Sequence, residues 1–125
     1  MVVVDSCGWL EWFTDGALAD EYRPYLEDID DLIVPSIVLY EVYKFLKREA
    51  GEEKALLATG YIKNARIIPL DDILALKAAD IALEHRIAMA DAIVAATAEM
   101  HDSVLITSDA DLKDLANVKF LPKRQ

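Results

Sequence analysis

The sequence predicts an α/β fold with a mainly parallel sheet and helices on both of its faces. Three observations lead there. Short β-branched runs alternate with longer segments of helical periodicity along the chain. The strand-like runs are separated by helices, so they cannot pair as hairpins; they pair in parallel through right-handed crossovers. The chain has 125 residues, 54% of them hydrophobic, which suits one domain over 1–125 with a well-filled core and some apolar surface for a partner. No internal repeat, linker or low-complexity stretch interrupts it.

Val2 to Val4 form the first strand, closed by Asp5, and Ser6 to Phe13 read as a helix carrying Trp9, Leu10 and Phe13. Ala17 to Leu26 is helical, with Pro24 expected to kink or break it. Leu32 to Val34 is the second strand, closed by Pro35. Ser36 is a suitable N-cap for a helix from Ile37 to about Glu49, in which Val38, Val42, Phe45 and Leu46 keep helical spacing. Gly51 suits its C-terminal stop, and Glu52 to Ile62 forms a second helix, completing a helical hairpin. Arg66 to Pro69 is the third strand. Asp71 or Asp72 caps a helix reaching about Arg86, and Asp91 to Met100 is a nearly all-apolar helix. Ser103 to Thr107 is the fourth strand, Ala110 to Leu115 a short helix, and Val118 to Leu121 a small edge strand. The tail, Pro122 to Gln125, is expected to fray.

Cys7 is the only cysteine, which excludes an internal disulfide; beside apolar residues it reads as a buried, unreactive thiol. Neither His85 nor His101 is tied to it, so a cysteine nucleophile has no visible base. No stretch approaches the roughly 20 apolar residues of a membrane span, and the N-terminus lacks the basic segment of a signal peptide. A reduced, cytoplasmic location without a membrane follows as the expectation. The net charge of −10 argues against a nucleic-acid binder unless several acids converge on one metal site.

Ligands of open parallel sheets collect beyond the carboxyl ends of the strands. Asp5 ends the first strand, and Asp109 and Asp111 follow the fourth. Glu41 lies in the second turn of the helix after the second strand, and Asp91 in the first turn of an otherwise apolar helix. Each has a structural alternative. Asp5 can cap the helix at Ser6, Glu41 can pair with Lys44, Asp91 can sit on a helix dipole, and Asp109 and Asp111 can serve a turn. Together they are harder to explain that way. Two carboxylates roughly 4 Å apart repel by about 4 kcal/mol at an effective dielectric near 20. No lysine or arginine adjoins Asp5, Asp91 or Asp109 in sequence. Either their pKa values rise or a cation compensates, and an all-oxygen ligand set selects Mg²⁺ or Mn²⁺ over zinc.

Four segments carry a family resemblance. Val2-Val3-Val4-Asp5-Ser6 looks like the opening motif of PIN domains, and Pro35-Ser36-Ile37-Val38-Leu39-Tyr40-Glu41-Val42 like the second. Asp91-Ala92-Ile93-Val94-Ala95-Ala96-Thr97-Ala98 is very similar to the third, and Leu105-Ile106-Thr107-Ser108-Asp109-Ala110-Asp111-Leu112 resembles the fourth. Singly each is weak; in order they span nearly the whole chain. Size and detail look most like VapC toxins of toxin–antitoxin pairs. The resemblance implies a three-layer α/β/α sandwich, a ribonuclease using Mg²⁺ or Mn²⁺, a homodimer, and a VapB-like antitoxin that blocks the site. It places the catalytic quartet on Asp5, Glu41, Asp91 and Asp109, with Asp111 as an extra ligand and Ser6 and Thr107 in support. Leu112 departs from the aromatic residue of many relatives, and the acidity of the chain is unusual for an enzyme that cuts RNA.

The reaction expected is metal-assisted hydrolysis of an RNA phosphodiester, with Glu41 orienting or deprotonating the water or holding a second ion. Lys44, Lys47, Arg48 and Arg86 are the candidate RNA-contacting cations. Trp9, Trp12, Phe13, Tyr40 and Tyr43 have a spacing that favours a core or dimer interface, with base stacking as the functional alternative. The alternative is a non-catalytic PIN-like module that binds RNA or protein, and the intact quartet argues against it. An aspartyl-phosphate phosphatase would want a second acid two residues after Asp5, where Cys7 stands.

Overall fold

The computed structural model describes residues 1–123. In chain order the elements are β1 (Val2–Val4), α1 (Ser6–Phe13), α2 (Ala19–Glu27), β2 (Ile33–Pro35), α3 (Ser36–Ala50), α4 (Glu52–Ile62), β3 (Arg66–Ile68), α5 (Asp72–His85), α6 (Met89–Met100), β4 (Val104–Thr107) and β5 (Val118–Phe120). Single 3₁₀ turns occupy Ile29–Asp31 and Ala110–Leu112.

Every strand pair is parallel: β1 with β4, β4 with β5, and β2 with β3. A lone parallel bridge from Val2 to Leu32 joins the two sheets edge to edge. The register sets Val4 opposite Ile106 and Thr107 opposite Phe120, so the chain segments leaving β1 and β4 emerge side by side. The expected parallel α/β/α architecture is the one formed.

Apolar periodicity decides which helix faces turn inward. Val38, Val42 and Leu46 recur at helical spacing on α3 and are buried. From Ala92 to Ala98 every residue of α6 is buried, and this helix packs on β1, β2 and β4. Its run of alanines lets backbones approach closely, so α6 fits under the sheet centre while presenting Asp91 at its first turn. Asp71 caps α5 by accepting a hydrogen bond from the Leu74 N–H at 2.8 Å. Gly51, at φ 94°, makes the turn between α3 and α4 that an L side chain would strain.

Several local expectations shift. Pro24 does not break α2, which runs on to Glu27. It is exposed, so water can reach the carbonyl that its missing N–H leaves without a partner. Ser36 is not the N-cap of α3 but its first helical residue; Pro35 takes the cap position and makes no side-chain hydrogen bond. Proline's fixed φ, here −59°, lets β2 pass directly into the helix. The second strand is Ile33–Pro35 rather than 32–34, and the third stops at Ile68 before Pro69. The helix expected over 110–115 is one 3₁₀ turn. Of the expected frayed tail, Arg124 and Gln125 lie outside the described residues. Among the described residues no helix is long and apolar enough to cross a membrane.

Candidate active site

Asp5, Asp91 and Asp109 each bring a carboxylate oxygen within 4.8 Å of the others. Asp5 arrives from the end of β1, Asp109 from the end of β4, and Asp91 from the start of α6. The sequence left the rim occupied by Asp91 open, and α6 brings it to the other two.

Asp5 is 5% exposed and held from two sides. The Ser6 N–H donates to its Oδ1 at 2.7 Å, as an N-cap bond of α1. The Thr107 hydroxyl donates to its Oδ2 at 2.9 Å. Thr107 also accepts from the Asp109 N–H at 3.0 Å, so one hydroxyl ties two of the three acids together. Asp109 is held in turn by the Asp111 N–H, which donates to its Oδ1 at 2.9 Å. The capping roles that each acid could play alone are therefore real, and they coexist with the cluster.

Electrostatics mark the cluster as under-compensated. Burial pushes the Asp5 carboxyl above its ordinary value, and the charge of Asp109 adds to this; Thr107 and Ser6 partly offset it. Asp91 is pushed up to about 7 by burial first, then by Asp109, Asp5, Asp111 and Glu41. Glu41 rises through burial and the charge of Asp5, partly offset by a hydrogen bond with Ser6. Among the described residues no lysine or arginine forms an ion pair with any of the four. Close carboxylates, hard oxygen donors and no internal cation together fit a divalent ion such as Mg²⁺ or Mn²⁺.

Glu41 stands at the edge of this group, coupled to Asp5 but outside the close trio. Asp111 is exposed and also outside it; its backbone, not its carboxylate, serves Asp109. The candidate cations differ in availability. Lys47 pairs with Glu52 at 3.6 Å and Arg48 with Glu49 at 2.9 Å. Lys44 and Arg86 are exposed and have no carboxylate partner among the described residues. The Lys44 ammonium lies 5.5 Å from the centroid of the Tyr40 ring, which is 59% exposed. Trp9 is buried and packs with Trp12, Phe13 and Tyr61, so these aromatics build core rather than a stacking surface.

A buried polar group behind the trio has no signature in the sequence. The hydroxyls of Tyr22 and Ser108 share a hydrogen bond at 2.5 Å. The Cys7 thiol lies 3.7 Å from Asp5 Oδ2 and 3.8 Å from both the Tyr22 and Thr107 hydroxyls. Burial pushes the thiol upward, with the Asp5 charge adding to it, which agrees with an unreactive cysteine. A surface cleft of about 670 Å³ lies elsewhere, against Lys77, Glu84, Glu99, Ser103 and Val104, and none of the quartet lines it.

Residues 2–118 match the family model described as PIN domain. No curated protein matches the chain by sequence. Solved structures match in fold. A toxin–antitoxin complex from Klebsiella pneumoniae contains a chain of 23% identity, TM-score 0.78, with 95% of this chain and 96% of that chain covered. The Mycobacterium tuberculosis toxin VapC20, which cleaves the sarcin-ricin loop, has 16% identity and TM-score 0.76, with 94% and 98% covered. VapBC2 from Rickettsia felis, bound to a DNA fragment from its promoter, gives 17% identity and TM-score 0.77, with 98% of each chain covered.

Proposed function

The chain belongs to the PIN-domain family, and from that premise we propose that it is a metal-dependent ribonuclease, the toxin of a VapBC-type toxin–antitoxin pair. The observation that carries the proposal is the convergence of Asp5, Asp91 and Asp109 within 4.8 Å, with no lysine or arginine paired to them among the described residues. Asp5, Asp91 and Asp109 would hold Mg²⁺ or Mn²⁺. A bound ion supplies Lewis acidity to a phosphate oxygen and lowers the pKa of a nearby water.

The protein's own groups do the rest. Thr107 and the Ser6 N–H fix both oxygens of Asp5, so the carboxylate enters the pocket with its orientation set. Glu41, coupled to Asp5 from the edge, takes a proton from the attacking water. The water oxygen bonds to phosphorus, the ester P–O bond breaks, and solvent returns a proton to the departing oxygen. Lys44, without a carboxylate partner among the described residues and following Glu41 on α3, attracts the RNA phosphates that the net charge of −10 would otherwise repel. Arg86, which has no carboxylate partner among the described residues, is a second contact for the backbone of the RNA, while Lys47 and Arg48 must first leave their glutamates.

The partner reading has its own support. A mainly apolar groove lined by Phe13, Leu46, Ala50, Leu57 and Ala58, with Asp15 and Lys54 also in its lining, opens between α1, α3 and α4, and suits an amphipathic antitoxin helix. On α5 the exposed Ile73, Leu76 and Leu83 share one face, which suits the homodimer. The one-domain organisation over 1–125 belongs to the same proposal. The test is a panel of structured and single-stranded RNAs incubated with partner-free protein in Mg²⁺, Mn²⁺ or EDTA, beside Asp5→Asn and Asp91→Asn. Metal-dependent cutting lost in both variants supports the nuclease; metal uptake without cutting supports the non-catalytic module.

A further inference from the structure

The Tyr22–Ser108 hydrogen bond is an expensive feature for a core. Two hydroxyls are taken out of water, with Tyr22 at 0% and Ser108 at 3% exposure. Phenylalanine and alanine would pack the same space without that desolvation. The ring of Tyr22 also needs Gly8. A Cβ at that position would collide with the ring, and would sit 2.6 Å from Val4 Cγ1. The sequence thus spends a glycine in α1 to let a tyrosine from α2 reach a serine 86 residues away.

That serine sits between Thr107, which holds Asp5, and Asp109, a member of the acidic trio. Each of the three consecutive residues is anchored differently. Thr107 links the loop to β1 through Asp5 at 2.9 Å. The Asp111 N–H fixes the Asp109 carboxylate against its own turn at 2.9 Å. The Ser108 side chain links the loop to α2 through the Tyr22 hydroxyl, beside the weaker thiol contact that Cys7 of α1 makes with Thr107. Without that bond the loop keeps its contacts to Asp5 and to the buried Leu112 but loses its hydroxyl tie to α2, so the position of Asp109 is less tightly set.

We infer that Tyr22 is a positioning residue for the metal site, setting Asp109 against Asp5 and Asp91 through the Ser108 hydroxyl. The inference rests on the reading of the acidic trio as a metal site. It predicts that Tyr22→Phe and Ser108→Ala change the same thing, because they remove the two ends of one bond.

The test is calorimetric titration of Mn²⁺ into the partner-free full chain: wild type, Tyr22→Phe, Ser108→Ala, the double variant, and Leu26→Val. Leu26 is a buried residue of the same helix with no polar atom in its side chain, so its shortening loosens the packing of α2 without touching the hydrogen bond. Each hydroxyl deletion is expected to weaken Mn²⁺ binding about tenfold, in the range of second-layer ligand supports. The double variant should be no weaker than either single, and Leu26→Val should bind as the wild type does. Wild-type affinity in both single variants, an additive double variant, or an equal loss in Leu26→Val would overturn the inference while leaving the metal site standing. A wild type that takes up no Mn²⁺ would overturn the metal-site reading and this inference with it.

Discussion

The Thr107 hydroxyl donates to Asp5 Oδ2 at 2.9 Å while accepting the Asp109 N–H at 3.0 Å. It joins the ends of the two adjacent parallel strands β1 and β4. The hydroxyl spends its single donor on Asp5 and one of its two acceptor lone pairs on the Asp109 N–H. Thr107→Ala removes both bonds and leaves Asp5 Oδ2 with only the weak thiol donor of Cys7. Loss of such a support is expected to lower divalent-metal affinity about 10- to 100-fold, with Thr107→Ser retaining most of it. Metal titration of the three proteins side by side checks this.

The pH dependence of the metal-free protein follows from the raised acids. Asp5, Glu41 and Asp91 all sit above their ordinary values, Asp91 at about 7 against 3.8. The folded chain therefore holds these protons more tightly than the unfolded chain. For Asp91 that stability is fully present below pH 3.8 and is lost as pH rises through about 7, and Asp5 and Glu41 act in the same direction. In EDTA the melting temperature should fall across that window, and Asp91→Asn should flatten the fall. Saturating Mg²⁺ or Mn²⁺ should raise the melting temperature most at the alkaline end. Thermal melts at stepped pH, with and without metal, read all three.

The cations of α3 should not be equal. Lys47 is paired with Glu52, whereas Lys44 has only the Tyr40 ring. Lys44→Ala is expected to weaken RNA binding to the cleavage-deficient Asp5→Asn protein more than Lys47→Ala does. It should also lower the magnitude of the log–log salt slope by about 0.7, one single-strand phosphate contact. Fluorescence anisotropy over a salt series distinguishes the two variants.

Gly8→Ala sets helix propensity against packing. In an open helix the change gains roughly 1 kcal/mol, but at Gly8 the new methyl meets the Tyr22 ring and Val4. Overpacking of a filled core costs about 1–3 kcal/mol. Net destabilisation is expected, with the denaturation midpoint falling in urea; a rise would mean that Tyr22 has room to move.

The parts of this protein that were readable from sequence are those fixed locally. The bounds of α1 and α4, the cap at Asp71 and the turn at Gly51 depend on neighbours within a few residues. Asp5 and Asp109 stood out as candidates because they follow strand ends, and Glu41 and Asp91 because they lie in early helix turns within segments that resemble PIN motifs; the end of the sheet that Asp91 occupies was not readable. The link from Tyr22 to Ser108 spans 86 residues and uses ordinary side chains, so no local pattern announces it. Pro24 and Ser36 misled for a related reason. Local propensity placed a break and a cap there, while solvent exposure and a strand running straight into a helix decided otherwise.

The most direct test of the central claim is single-turnover cleavage of a defined single-stranded RNA at rising Mn²⁺, using partner-free wild type and Asp91→Asn purified in parallel. The account predicts no cleavage in EDTA, a rate that climbs and saturates with Mn²⁺ for the wild type, and a loss of at least about a hundredfold in the variant, on the scale of removing one group that stabilises a charged transition state. Cleavage that persists in EDTA, or runs equally fast in Asp91→Asn, would contradict it.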